Sequence, residues 1–180
     1  MTGRARTRFA GTRVIGVDPG LNATGYAIIE CGLKVSLLEA GVIRLPRSQA
    51  NNLPIRLELL FKGLGEVIEE FRPETMCLEE VFSHARYPRT SVLMGHARGV
   101  VCLAARLALI PVISFPPKRI KLSVTGNGNA SKTQVQRAIQ SYFDLDRVPQ
   151  PPDVADALAA ALCFADARRT AGNGRSSGNR

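Results

Sequence analysis

Five acidic side chains stand where a carboxylate is either costly or well placed for chemistry: Asp18, the adjacent Glu79 and Glu80, Asp153 and Asp156. Asp18 closes the apolar run Val14-Ile15-Gly16-Val17 and opens Pro19-Gly20, which is good turn chemistry in its own right. Glu79 and Glu80 follow the short apolar run Met76-Cys77-Leu78, and the ends of parallel strands are where open α/β sheets gather binding sites. Spacing alone does not choose between these two glutamates. Asp153 and Asp156 are three apart in a first helical turn, so they share a face, and there they also complement the helix dipole. Packed together without a cation, these acids would repel one another. Converging carboxylates are what hard, oxygen-seeking Mg²⁺ or Mn²⁺ ions require. Two such ions ~4 Å apart can activate a water and stabilise the leaving oxygen of a phosphodiester. The pattern predicts a metal-dependent nuclease.

The basic residues point to the same polyanionic substrate. Of 180 residues, 24 are Lys or Arg and 15 are Asp or Glu, a net charge of +9. Arg4, Arg6, Arg8 and Arg13 at the start, and Arg168, Arg169, Arg175 and Arg180 at the end, are accompanied by no acid. Between Glu80 and Asp144 there is no acid either, while Arg86, Arg89, Arg98, Arg106, Lys118, Arg119, Lys121, Lys132 and Arg137 all occur. Each cation that meets a phosphate releases condensed counterions, so such a window suits nucleic acid, although a solvated surface would carry the same charge. Cys31, Cys77, Cys102 and Cys163 form no C-x-x-C pair, and three lie in apolar runs, which predicts reduced, mostly buried thiols rather than zinc ligands or disulfides. His84 and His96 share no motif with them and are read as ordinary polar residues. No P-loop signature is present. The Arg-rich N-terminus has no apolar stretch behind it, and no run reaches the roughly 18 apolar residues of a membrane span, so a soluble, cytoplasmic protein is expected.

The elements that must position the acids are legible from periodicity. Strands are expected at Arg13 to Asp18, Ala23 to Cys31 and Lys34 to Leu45 as a meander. From Arg56, Leu57, Leu60, Phe61, Leu64, Ile68 and Phe71 recur at helical steps. A short strand from Thr75 to Leu78, a helix from Thr90 to Leu109 and a strand from Val112 to Phe115 follow. Gly95, Ala97, Gly99, Ala104 and Ala105 give the second helix little side-chain bulk and allow close approach of another helix. A basic helical turn from Lys118 to Val124 leads to a Gly/Asn loop, Ser131 and Gln134 form a capping-box pattern for the next helix, and an Ala/Leu-rich helix starts at Pro151 or Pro152 and runs to about Arg169. One mixed sheet covered by helices is the economical arrangement. It divides the chain into a basic arm (1–12), a folded body (13–169) and a disordered Arg/Gly/Ser tail (170–180).

Five motifs in order resemble the RuvC family of Holliday-junction endonucleases. They are Ile15-Gly16-Val17-Asp18-Pro19-Gly20 with Thr24-Gly25-Tyr26, Leu78-Glu79-Glu80-Val81-Phe82, Met94-Gly95-His96-Ala97-Arg98-Gly99-Val100, the segment 121–135 with Gly126-Asn127-Gly128, and Asp153-Val154-Ala155-Asp156-Ala157-Leu158. The resemblance spans about Val14 to Ala165. It implies an RNase H-like α/β fold, a mixed five-stranded sheet with helices on both faces. It further implies a homodimer that nicks four-way DNA junctions in strands of like polarity, leaving 5′-phosphates, with a preference for TT-containing sites and in cooperation with the RuvA and RuvB branch-migration proteins.

Carried over by residue, the resemblance makes Asp18, Glu79, Asp153 and Asp156 ligands of two Mg²⁺ ions, with Mn²⁺ as a substitute, and so selects Glu79 over Glu80. Lys121 and Lys132 match basic positions near the scissile phosphate, and Phe82 matches an aromatic that stacks on unpaired bases. Arg98 and Lys118 are further candidate DNA contacts. The helix around Gly95 to Ala105 corresponds to the dimer interface. Asp153 stands where some relatives carry His, and the all-carboxylate set favours hard ions. Three alternatives remain to be discriminated by metal-dependent cleavage: a YqgF-like nuclease acting on RNA, an actin-like phosphate loop, and a non-enzymatic junction-binding module.

Overall fold

The computed structural model describes residues 11–49, 51–80 and 88–176. The three expected opening strands are present as an antiparallel meander, β1 (Thr12–Asp18), β2 (Ala23–Cys31) and β3 (Val35–Arg44). Two further strands, β4 (Thr75–Glu79) and β5 (Val112–Phe115), add in parallel on the other side of β1, so the sheet order is β3-β2-β1-β4-β5. Parallel pairing needs a crossover, and two helices supply it: α1 (Leu53–Phe71) joins β3 to β4, and α2 (Pro88–Leu107) lies between β4 and β5. After β5 come α3 (Pro117–Thr125), α4 (Lys132–Tyr142) and α5 (Pro152–Ser176).

Period-two alternation splits the core between the two sheet faces. Ile15, Val17, Ile28, Met76 and Leu78 pack with Leu60, Leu64, Ala97 and Val101 of α1 and α2. Val14, Ala27, Ile29 and Cys77 turn the opposite way, to Ile120, Ile139 and α5. Helix α5 is buried from Val154 to Cys163 except at Asp156, because the sheet lies on one side of it and α3 and α4 on the other. That explains why its sequence is apolar nearly all round. Each fully buried Leu or Ile of this layer contributes roughly 1.5–3 kcal/mol of transfer free energy.

Local boundaries show where tertiary context prevailed over the sequence pattern. Helix α1 begins at Leu53 rather than Arg56, because the Asn52 side chain accepts from the Ile55 amide (3.3 Å) and Pro54 suits a first turn. The capping box of α4 is formed as expected, with Ser131 Oγ accepting from Gln134 N (3.2 Å) and Gln134 Oε1 accepting from Ser131 N (2.8 Å). Helix α5 continues to Ser176, beyond the Arg169 boundary and into the segment read as a disordered tail. Adding a turn to an existing helix costs far less than nucleating one, and the Arg169–Asp166 pair (3.0 Å) and the Thr170 hydroxyl bonded to the Asp166 and Ala167 carbonyls support the extension. The small residues of α2 do not form a single face: Ala97, Ala104 and Ala105 are buried against the sheet, whereas Gly95 and Gly99 face open space. No described helix is long and apolar enough to cross a membrane.

Two glycines set the distance between α5 and the sheet. A Cβ on Gly16 of β1 would lie 2.0 Å from the Ala157 carbonyl oxygen, and one on Gly25 of β2 would lie 2.1 Å from the Asp153 carbonyl oxygen. Both obstacles are helix backbone, which cannot rotate aside. Gly16→Ala should therefore lower stability by on the order of 3 kcal/mol or prevent folding. Gly65→Ala, in open space within α1, should instead add about 0.5–1 kcal/mol by removing glycine's unfolded-state entropy. Urea denaturation of the pair is the check, and a Gly16→Ala protein as stable as the parent would mean that α5 has room to spare.

Candidate active site

The acids singled out in the sequence are brought together by three elements. Asp18 ends β1, Glu79 ends β4 directly beside it, and Asp153 and Asp156 occupy the first turns of α5. Alternation decides which way the two strand residues point. Val17 and Leu78 belong to the α1/α2 core, so Asp18 and Glu79, one residue further along, project to the α5 side. Asp18 pairs across the ladder with Gly25, the residue against which the Asp153 backbone packs. The contact that seats α5 thus also delivers its acids to Asp18.

Electrostatics show how closely the four interact. The Asp18 carboxyl is pushed up to about 7 by burial first, then by the charges of Asp156 and Asp153 and, least, of Glu79, with Lys132 opposing. Glu79 is also raised, by desolvation and by Asp156, while Lys121 and Lys132 pull it back. Lys132 Nζ lies 2.7 Å from Asp156 Oδ2. Burial would lower the lysine, but that bond and the charges of Asp156, Asp18 and Asp153 outweigh it, so its ammonium is held on balance above the usual value. A cleft of about 180 Å³ is lined by Glu79, Lys121, Lys132 and Asp156 together with Ile120, Val135 and Ala159. A larger groove, between β3 and residues 142–150, contains none of the four acids.

The donor set fits a hard divalent cation in kind: four carboxylates, no soft ligand, and a central Asp whose charge is destabilised by its own neighbours. Among the described residues, no three or more acidic, His or Cys side chains stand close enough together in this structure to hold a metal ion as they are. The Lys132 ammonium supplies the positive charge next to Asp156 instead.

Sequence reasoning missed the residues that hold the Asp18 turn. Thr24 is fully buried, and its hydroxyl donates to the Gly20 carbonyl (2.7 Å) while accepting from the Gly20 amide (3.1 Å). Arg56 is buried in the apolar stripe of α1, and its guanidinium donates to the Leu21 carbonyl and to Asn22 Oδ1 (2.8 Å). The signal was present: Arg56 shares its helix face with Leu60 and Leu64, and a charge in a buried stripe needs a structural reason. Of the expected DNA contacts, Lys118 is exposed on α3, and Lys121 lies one turn on, facing the cleft. Arg98, also named as a candidate contact, bonds through its guanidinium to the Glu79 carbonyl (2.6 Å) and Ser114 Oγ (2.7 Å) within the protein. Phe82 lies outside the described residues, as does His84. The cysteines are all free thiols, with Cys77 and Cys163 buried and Cys31 and Cys102 partly so.

Comparison with known proteins decides the family. Residues 14–164 match the family model of the crossover junction endodeoxyribonuclease RuvC. The chain belongs to the RuvC family. A RuvC from Rhodopirellula baltica is 50% identical over 151 residues, covering 83% of this chain and 84% of the relative. The RuvC of Halorhodospira halophila is 44% identical over 157 residues, covering 87% and 92%. Among solved structures, Thermus thermophilus RuvC in complex with a Holliday junction substrate superposes with a TM-score of 0.80 at 30% identity, over 89% of this chain and 96% of that one. The RNase H-like RuvC architecture expected from the resemblance is the one observed, with the five-stranded mixed sheet and helices on both faces.

The raised Asp18 carboxyl has a consequence for stability. From pH 3.8 to about 7 the unfolded chain has released a proton that folded Asp18 keeps. Stability must therefore fall as pH rises through that window and then level off. Asp18→Asn removes the group, and at pH 8 in EDTA it should stabilise the protein by on the order of 3 kcal/mol while reducing the decline. Urea midpoints measured across pH for both proteins provide the check; identical profiles would show that neither burial nor the neighbouring acids raise the Asp18 carboxyl in the folded protein.

Proposed function

We propose that this RuvC-family chain is a structure-selective endonuclease that resolves four-way DNA junctions by paired, metal-dependent nicks in strands of like polarity, serving recombination and repair. The observation that carries the reading is the gathering of Asp18, Glu79, Asp153 and Asp156 beside the cationic Lys121 and Lys132, in a chain whose relatives are named crossover junction endodeoxyribonucleases. These four acids would hold Mg²⁺ or Mn²⁺, two ions per site. When bound, such ions supply Lewis acidity at the phosphate and a water acidic enough to attack it.

The protein's own groups do the remaining work. Asp18, buried and partly protonated near neutrality, gains its full charge once a cation offsets Asp156 and Asp153. Lys121 and Lys132 offer ammonium donors to the scissile phosphate without reading bases, with Lys132 exchanging Asp156 for a phosphate oxygen. Lys118, exposed nearby on α3, adds a phosphate contact, and Phe82 is assigned by resemblance to stacking at the junction centre. Junction choice then comes from shape and deformability, with a modest sequence preference at the nick, and the products carry 5′-phosphates.

A homodimer is part of the proposal. Gly95 and Gly99 on α2 have no neighbour, and Val92, Met94, Leu103 and Leu107 of the same helix are exposed. A second copy packed there about a two-fold axis would present two equivalent carboxylate sites to one junction. RuvA and RuvB are proposed as partners from the family resemblance. The cytoplasm is the proposed compartment, in keeping with four free thiols.

Synthetic mobile and immobile four-way junctions, a linear duplex and an RNA stem, incubated with Mg²⁺ or with EDTA, test the reading. Paired nicks only with metal, preferentially on the mobile junction, are expected. Asp18→Asn should bind the junction as the parent does and cut at least 10³-fold more slowly, a loss in line with removal of key electrostatic stabilisation. Cutting by that variant would remove Asp18 from the metal-binding set, whereas tight binding with no cutting by the parent in Mg²⁺ would leave only a junction-binding module. Lys121→Ala and Lys132→Ala should each weaken binding and reduce the log–log salt dependence by ~0.9. An unchanged slope would return both lysines to the role of ordinary surface charge.

A further inference from the structure

The geometry points to Arg98 as a positioning residue that fixes the end of β4, and with it the placement of Glu79, from the sheet face opposite the active site. Arg98 projects from α2, the helix whose Ala97 and Val101 pack into the core on the α1/α2 side of the sheet. From there its two terminal nitrogens reach two neighbouring strands: Nη1 donates to the Glu79 carbonyl (2.6 Å) and Nη2 to Ser114 Oγ (2.7 Å). Both acceptors lie where the parallel β4–β5 ladder ends. Glu79 pairs with Phe115, Ser114 pairs with Leu78, and the Glu80 amide makes the last bond across, to the Phe115 carbonyl (2.9 Å).

A strand end has no further ladder bonds to hold it, and β4 ends at the residue that must present a carboxylate. Leu78 packs on the α1/α2 side and Glu79 projects the other way, so the guanidinium grips the backbone of Glu79 from behind while its side chain remains free for the site. A planar fork with two parallel donors suits this task, because it fixes direction as well as distance. Lysine has one nitrogen and cannot span both acceptors in the same geometry. Arg98 therefore acts through Glu79 and does not touch substrate. This assignment rests on the nuclease reading for its catalytic consequence, but its structural half is measurable without cleavage.

Two readouts separate these halves. Amide hydrogen exchange at Glu80, in metal-free protein, should quicken at least tenfold in Arg98→Ala with the melting temperature little changed. On junction DNA at saturating protein, the single-turnover nicking rate should fall about 10- to 100-fold, the usual cost of losing a group that orients a ligand, with junction affinity within about twofold of the parent. Arg98→Lys should recover only a minor part of the rate, and Ser114→Ala, which keeps the arginine and removes one acceptor, should give a smaller loss of the same kind. If Arg98→Ala folds poorly, Ser114→Ala and Arg98→Lys carry the test alone. Weakened binding with a reduced salt slope and an unchanged bound-state rate would overturn the proposal and make Arg98 a phosphate contact. Normal exchange at Glu80 would overturn it as well. A parent protein that fails to nick would count against the nuclease reading, and the exchange result would still judge the clamp.

Discussion

The site exists because α5 can lie directly on the sheet. Backbone meets backbone where Gly16 faces the Ala157 carbonyl and Gly25 faces that of Asp153. A side chain at either glycine would collide with helix backbone and push α5 off the sheet. The same seating buries Val154 to Leu162 except at Asp156 and brings the first turn of α5 beside the end of β1. Hydrophobic burial thus supplies the free energy that holds four acids together against their repulsion. Fold stability and site assembly are one interaction here.

That repulsion is managed in layers. The most buried acid, Asp18, bears the largest shift, while Glu79 and Asp156 nearer the rim are offset by Lys121 and Lys132. The Lys132 ammonium, 2.7 Å from Asp156 Oδ2, places a cation at the site without closing it. The backbone around the acids is held by neutral acceptors: Thr24 and Arg56 fasten the turn after Asp18, and Arg98 grips the strand end at Glu79. Carbonyls and a hydroxyl rather than carboxylates accept from these arginines, so the guanidinium groups brace the site without neutralising it.

Much of the arrangement was legible in the residues. Alternation identified all five strands to within a residue or two, the Ser131–Gln134 capping box marked the start of α4, and the carboxylates at two strand ends and a helix start marked the site. Choosing Glu79 over Glu80 from the residues themselves needed the pleat, because adjacent residues point to opposite faces and only the packing of Leu78 shows which face holds α5. The small residues of α2 looked like one face because composition does not reveal azimuth, yet Ala97 and Gly95 point in different directions. The bonds of Arg98 were not legible, since its acceptors, a carbonyl and a hydroxyl on two strands, leave no mark on local sequence.

Local chemistry in the chain by itself determined which segments become strands and helices, which side chains are hard metal donors, and that a long acid-free basic window suits a polyanion. Those properties depend on periodicity, donor type and charge, all of which are carried by neighbouring residues. Only the tertiary structure decided that Asp18 is pushed up by burial and by Asp156 and Asp153, that Lys132 stands at Asp156, that Arg56 bonds the turn after Asp18, and that Arg98 bonds the strand end at Glu79. Each of these depends on distances between residues far apart in sequence: those among the acids are set by how closely two glycines let α5 approach the sheet, and those of Arg56 and Arg98 by the packing of α1 and α2 on its other face.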